Sequence, residues 1–142
     1  MINDLYPFIQ AYSLIIGLAV GSFLNVIIYR LPNNKSIVKP RSKCTGCNTQ
    51  ITWYDNIPVI SYIILLGKCR NCKAPISIRY PLIELICGLM TIMLLSIYGP
   101  SYEFIVIVLL CYMLIAITFI DIDHFIIPNG FIIFGFIISI VA

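Results

Sequence analysis

Residues 8–29 of this chain carry no charged side chain, and that single run constrains the fold more than any other feature. At about 1.5 Å per helical residue it spans roughly 33 Å, enough to cross the hydrocarbon core of a bilayer. Uncharged apolar runs recur at 85–98, extending the stretch begun by Tyr80-Pro81-Leu82-Ile83, and again at 104–120 and 125–142. Isoleucine is abundant, but in lipid an open strand leaves its backbone unsatisfied, so helix prevails over local propensity. The runs do not alternate polar and apolar residues, which excludes a β-barrel. The prediction is an all-α polytopic membrane protein with about four transmembrane helices. The second ends at Gly99-Pro100-Ser101 and the fourth starts near Ile127-Pro128. The composition agrees: 61% of the 142 residues are hydrophobic and 11% charged. A soluble domain of this size cannot hide so much apolar surface. A disordered tail and a nucleic-acid-binding module are excluded on the same ground, leaving the lipid bilayer as the first partner.

The charges are unevenly placed. All nine basic residues fall between Arg30 and Arg79, together with one acid, Asp55, so that segment carries a net +8. The positive-inside rule puts 30–79 in the cytoplasm and the N-terminus, with Asp4 and no base, outside. A cleaved signal peptide would need a basic n-region and a small-residue cleavage site, which the first segment lacks. The chain thus divides into a first transmembrane helix (1–29), a cytoplasmic domain (30–79) and helices 2–4 (80–142). Within the loop, Ile57–Leu66 is apolar but too short to span. It is either a core element of the loop domain or a segment lying at the membrane interface.

Four of six cysteines form two C-x2-C pairs, Cys44/Cys47 and Cys69/Cys72, with 21 residues between the pairs. A lysine precedes each pair and an isoleucine follows four positions on (Ile51, Ile76), a faint internal repeat. Two such knuckles facing each other offer four thiolates in a tetrahedron, the arrangement of structural Zn²⁺. A loop of about 50 residues buries little core, and a metal supplies the missing folding energy. The expectation is a small zinc-ribbon-like domain between helices 1 and 2, with Cys44, Cys47, Cys69 and Cys72 as ligands. Disulfides are disfavoured in a reducing compartment. An iron–sulfur cluster would use the same four ligands and is the competing reading. Cys87 and Cys111, in membrane segments, read as small buried apolar residues.

Ionisable groups beside a membrane helix are functional candidates. Asp121, preceded by strongly apolar sequence, is the first of these. Asp123 and His124 fit a solvated helix end. Asp123 cannot join Asp121 in a carboxylate pair, because residues two apart on a helix face different ways. Asn25 and Glu84, near the ends of helices 1 and 2, admit two readings: interhelical bonding and an interfacial acid, or a functional role. Gly17-x-x-x-Gly21, followed by Ser22, reads as a close helix-packing face.

Gly21-Ser22-Phe23-Leu24-Asn25-Val26-Ile27-Ile28-Tyr29-Arg30-Leu31-Pro32 resembles the N-terminal signature of the type IV prepilin peptidases. The two C-x2-C pairs, Trp53-Tyr54-Asp55-Asn56-Ile57-Pro58 and Ile78-Arg79-Tyr80-Pro81-Leu82-Ile83-Glu84 follow in the family's order. Ile120-Asp121-Ile122-Asp123-His124-Phe125-Ile126-Ile127-Pro128-Asn129 is similar to the segment bearing its first catalytic aspartate. The resemblance implies a bifunctional enzyme of the bacterial cytoplasmic (inner) membrane. Such an enzyme cuts the basic leader from type IV prepilins or pseudopilins after a glycine. It then methylates the new N-terminus with S-adenosylmethionine. Asp121 would be one of the aspartyl pair. The family's second aspartate lies in a Gly-x-Gly-Asp motif that these 142 residues do not contain, so the expectation is an N-terminal portion that is inactive alone. Asn129 stands where the family often has Asp. The rival reading is a non-enzymatic membrane scaffold whose zinc module docks a cytoplasmic partner.

Overall fold

The structure is a computed structural model that describes residues 2–141, with side chains described for 6–140. Four apolar helices and one short one carry the fold: α1 (Ile2–Arg30), α2 (Ile60–Ile64), α3 (Arg79–Tyr98), α4 (Tyr102–His124) and α5 (Asn129–Val141). Among the described residues there are no β-strands, only two isolated antiparallel bridges, Lys43 with Gln50 and Lys68 with Pro75. Three helices, α1, α3 and α4, are long and apolar enough to cross a membrane. The fourth expected span corresponds to α5, a shorter apolar helix of 13 described residues.

Local chemistry sets the helix ends. Gly99 closes α3 at φ 64°, donating its N–H to Leu95 O, and Ser101 then caps α4 by accepting the Phe104 N–H. This tight turn makes α3 and α4 antiparallel neighbours. Helix α4 runs past the apolar stretch and through the acids to His124, where Phe125 in the left-handed region donates to Asp121 O at 2.9 Å.

The core lies where α1, α3 and α4 meet, around Leu24, Ile83, Cys87, Leu94, Tyr112, Ala116 and Ile120. Cys87 is fully buried there, in keeping with its apolar role. The α1–α3 contact is the tightest. A Cβ on Gly21 would lie 2.6 Å from Glu84 Cα, and one on Gly17 would lie 2.8 Å from Gly88 Cα. Close backbones let short polar groups bridge the helices. The Asn25 side chain donates to Tyr80 O at 3.1 Å, and Thr91 pairs with the Tyr112 hydroxyl. No buried side-chain polar atom among the described residues lacks a partner. The opposite faces expose Ile15, Ile16, Leu89, Met93 and Ile105, as helices bathed in lipid do.

Candidate metal centre and membrane-face aspartates

The four knuckle cysteines converge, all four Sγ atoms lying within 4.8 Å of one another. Each knuckle is built the same way. The Cys44 N–H donates to Thr49 O and the Cys69 N–H to Ala74 O; Asn48 donates to Cys44 O and Lys73 to Cys69 O; Ile51 returns to Ser42 and Ile76 to Gly67. Asn48 and Lys73 hold the same left-handed turn, at φ 56° and 58°. The faint sequence repeat is therefore a structural one.

This geometry fits one metal ion. Bonds of about 2.3 Å in a tetrahedron place sulfurs about 3.8 Å apart, and Cys44 Sγ and Cys72 Sγ are separated by 3.7 Å. A multi-iron cluster puts several atoms between its thiolates and needs a wider cage. The electrostatics agree. Hydrogen bonds from the Thr49 hydroxyl and amide hold the Cys47 thiol down to about 6, and the amides of Cys72 and Asn71 lower Cys69. Cys72 has the Ala74 amide to lower it, yet desolvation and the sulfurs of Cys47, Cys44 and Cys69 push it up to about 11. Four sulfurs this close ionise together only with a cation among them.

An ion pair that the sequence reading missed ties the second knuckle to the Trp53–Asn56 turn. Arg70, between Cys69 and Cys72, grips Asp55 with Nε at 3.1 and 2.9 Å and Nη2 at 2.6 Å. Arg70 also lies over the Tyr54 ring. The guanidinium holds the Asp55 carboxyl below its ordinary range. The available signal was that Asp55 is the only acid in a segment of net charge +8.

Glu84 is buried on α3, where its Oε2 accepts the Val59 N–H at 2.7 Å. Val59 sits at φ 61°, ψ −49°, with Ile60 N–H bonded back to Pro58 O at 2.6 Å. That is a γ-turn centred on a β-branched residue, a strained conformation of order 1–3 kcal/mol that only outside contacts maintain. Of the two readings for Asn25 and Glu84, Asn25 makes the interhelical bond, while Glu84 holds a strained loop rather than facing solvent.

Asp121 and Asp123 occupy the last turn of α4 and do not pair with each other. Asp123, expected as a solvated end, is instead held by Arg79 Nη1 at 2.6 Å, while Arg79 Nη2 donates to Phe119 O at 3.0 Å. Asp121 is exposed and makes no ion pair or hydrogen bond through its side chain among the described residues. Among the described residues no second carboxylate is brought to it: Asp123 is on Arg79 and Glu84 on Val59.

The description "Bacterial Peptidase A24 N-terminal domain" matches residues 15–98, the stretch from the middle of α1 to the end of α3 that contains both knuckles. The chain belongs to this family. Curated relatives of this family member include a prepilin leader peptidase/N-methyltransferase of Myxococcus xanthus, 45% identical over 122 residues, covering 86% of this chain and 36% of the relative. Enzymes of the same name from Pseudomonas putida (34% over 150 residues, 90% and 52%) and Stutzerimonas stutzeri (38% over 141 residues, 83% and 49%) also match. The chain spans about a third to a half of the length of these relatives. No solved structure matches.

Proposed function

We propose that this chain carries the membrane helices, the zinc module and one catalytic carboxylate of a membrane aspartyl endopeptidase. Its substrates are type IV prepilins or pseudopilins, cut after the glycine that ends their basic leader. The same protein then methylates the new N-terminal amine with S-adenosylmethionine as donor. The observation that carries the reading is Asp121: an acid at the end of an apolar helix, with its near neighbour Asp123 already neutralised by Arg79. The relatives' shared name supports it.

In an aspartyl pair one carboxylate accepts a proton from the attacking water while the other, protonated, donates to the scissile carbonyl. The proton on the first then passes to the leaving amine as the peptide bond breaks. Asp121 supplies one of these groups. Its partner is the aspartate of the Gly-x-Gly-Asp motif that the family resemblance implies, and residues 80–142 are the start of that peptidase domain. Cys44, Cys47, Cys69 and Cys72 hold Zn²⁺, which stabilises the 30–79 domain and, with four thiolates, has no open position for catalysis. The basic segment faces the bacterial cytoplasm and the N-terminus the outside.

The test is removal of a prepilin leader in mixed micelles, read as a mobility shift. The 142-residue chain should not cleave. A chain extended through a Gly-x-Gly-Asp helix should, and Asp121→Asn should reduce its rate about 10²–10⁴-fold. An extended chain fully active with Asp121→Asn would overturn the assignment. An extended chain that never cleaves but captures a cytoplasmic protein through its knuckles would favour the scaffold reading.

A further inference from the structure

We infer that residues 53–66 form a membrane-inserted segment, with the apolar face of α2 lying at the headgroup–acyl boundary of the bilayer and Glu84 pinning it there. The inference rests on α1 and α3 spanning the membrane.

Depth is the first observation. Arg30 ends α1 and Arg79 begins α3, so the two arginines mark one end of both spans. Asn56 and Pro58 line a groove with Ala19, Ser22, Phe23 and Val26 of α1. Those α1 residues lie about 6–17 Å below Arg30 at 1.5 Å per residue. Val59 is bonded to Glu84, about 8 Å below Arg79 by the same rise. The segment therefore dips beside the helices rather than riding above them.

The second observation is what the segment leaves uncovered. Ile60, Ile63, Ile64 and Leu66 are 54–82% exposed, and the main packing of α2 among the described residues is on the Trp53–Asn56 turn. In water this would be a contiguous apolar patch of the kind that marks an interaction site.

The third concerns the backbone. Lipid tolerates irregular chain only if its amides are satisfied internally. Here the Ile57 N–H bonds Ser61 Oγ, Val59 bonds Glu84, Ile60 bonds Pro58 O, Ser61 bonds Ile57 O and Ile63 bonds Val59 O. Position 58 is proline and has no N–H. The Ser61 hydroxyl in turn donates to Tyr54 O.

The occupant follows from charge and continuity. The surrounding segment carries a net +8, which suits an anionic lipid surface. Trp53, Tyr54 and Lys68 flank the apolar stretch, as interfacial anchors do. A protein partner would have to reach a face that begins at the depth of α1 and α3. Arg70 and Asp55 then couple the second knuckle to this insert, which seats the metal module against the membrane.

Trp53 is the only tryptophan, so Trp53→Phe with Ile63→Trp gives a single reporter. The full chain is reconstituted in phosphatidylethanolamine–phosphatidylglycerol vesicles. Lipid brominated near the top of its acyl chains should quench the reporter about twofold or more, and aqueous iodide should not. Quenching by iodide but not by brominated lipid overturns the inference. Leu89→Trp in the same background, on the exposed face of α3, is quenched by brominated lipid if α3 spans. If both reporters escape, it is the membrane reading that has failed. Glu84→Leu, which removes the acceptor for Val59, should reduce lipid quenching at position 63, while Glu84→Gln, which keeps an acceptor, should restore it. Unchanged quenching in Glu84→Leu overturns the latch. If that variant does not insert, the native-Glu84 reporter still decides the depth.

Discussion

Arg79 and Asp123 stand 44 residues apart in the chain and meet at 2.6 Å, joining the first residue of α3 to the last turn of α4. Two acids at a helix C-terminus oppose its macrodipole, and a cation brought there offsets them. Arg79 does so while also donating to Phe119 O and stacking on the Phe119 ring. The pair thus fixes the turn that displays Asp121.

Removing one partner should therefore loosen the end of α4. Both side chains are about a third exposed, so Arg79→Ala should cost only about 1 kcal/mol in a detergent unfolding assay. The exchange Arg79→Asp with Asp123→Arg should recover part of that loss in a double-mutant cycle. If the two single losses simply add, the contact carries no coupling.

The metal centre makes a stoichiometric prediction. Purified chain should hold one Zn²⁺, and replacing any of Cys44, Cys47, Cys69 or Cys72 with Ser should abolish its retention. Because four thiols must shed their protons to bind it, chelation should be easier at low pH. Protease should then cut within 30–79 while α1, α3 and α4 stay inserted. Elemental analysis checks the ion, and iron with inorganic sulfide would refute it.

How far the fold was legible depended on distance in the chain. The spans are written in runs without charge, since lipid admits little else. The knuckles are written in short C-x2-C spacings and in a repeat whose backbone bonds recur residue for residue. Glu84 on Val59, Arg70 on Asp55 and Arg79 on Asp123 join residues 15–44 positions apart, and periodicity cannot reveal such pairs. Asp123 read as solvated because its partner lies on another helix. The 57–66 run stayed ambiguous because its length permits two readings, and its neighbours Ser22 and Glu84 lie far from it in the chain.

The Asp55–Arg70 pair carries a pH signature. Arg70 depresses the Asp55 carboxyl in the folded chain. The stability it confers is present above the unfolded value of roughly 3.9 and is lost as pH falls through the lowered folded value. Asp55→Asn should therefore be less stable than the parent throughout the neutral range, by an amount that does not vary there. The gap should close in acid, read with metal-free samples of both proteins so that zinc release does not intrude. A gap that widens on acidification would contradict the pairing.

Orientation can be read chemically. Single cysteines introduced at Lys35 and Pro100, in a Cys111→Ala background with the knuckle cysteines metal-bound and Cys87 buried, should label from opposite faces of intact cells. Position 100, in the α3–α4 turn, should react with an impermeant maleimide. Position 35 should react only after permeabilisation. Labelling of position 35 from outside would invert the topology and move Asp121 with it.

The α1–α3 contact gives the sharpest structural prediction, because two glycines of one chain should respond oppositely. Replacing glycine with alanine in a helix ordinarily gains up to about 1 kcal/mol through propensity. At Gly130, in the first turn of α5, a new methyl meets nothing within 4 Å, so Gly130→Ala should be neutral or mildly stabilising. At Gly21 the same methyl would lie 2.6 Å from Glu84 Cα and 3.1 Å from Ile83 O, and both are backbone atoms that cannot turn aside. The helices would have to separate, and overpacking of this kind costs about 1–3 kcal/mol, which exceeds the propensity gain. Separation would also stretch the Asn25–Tyr80 bond one turn further along and draw Glu84 away from Val59. Gly21→Ala should therefore lower the unfolding midpoint in detergent and expose the 53–66 segment to protease, whereas Gly130→Ala should do neither. Equal stability of the two variants would mean that α1 and α3 do not approach this closely in the membrane.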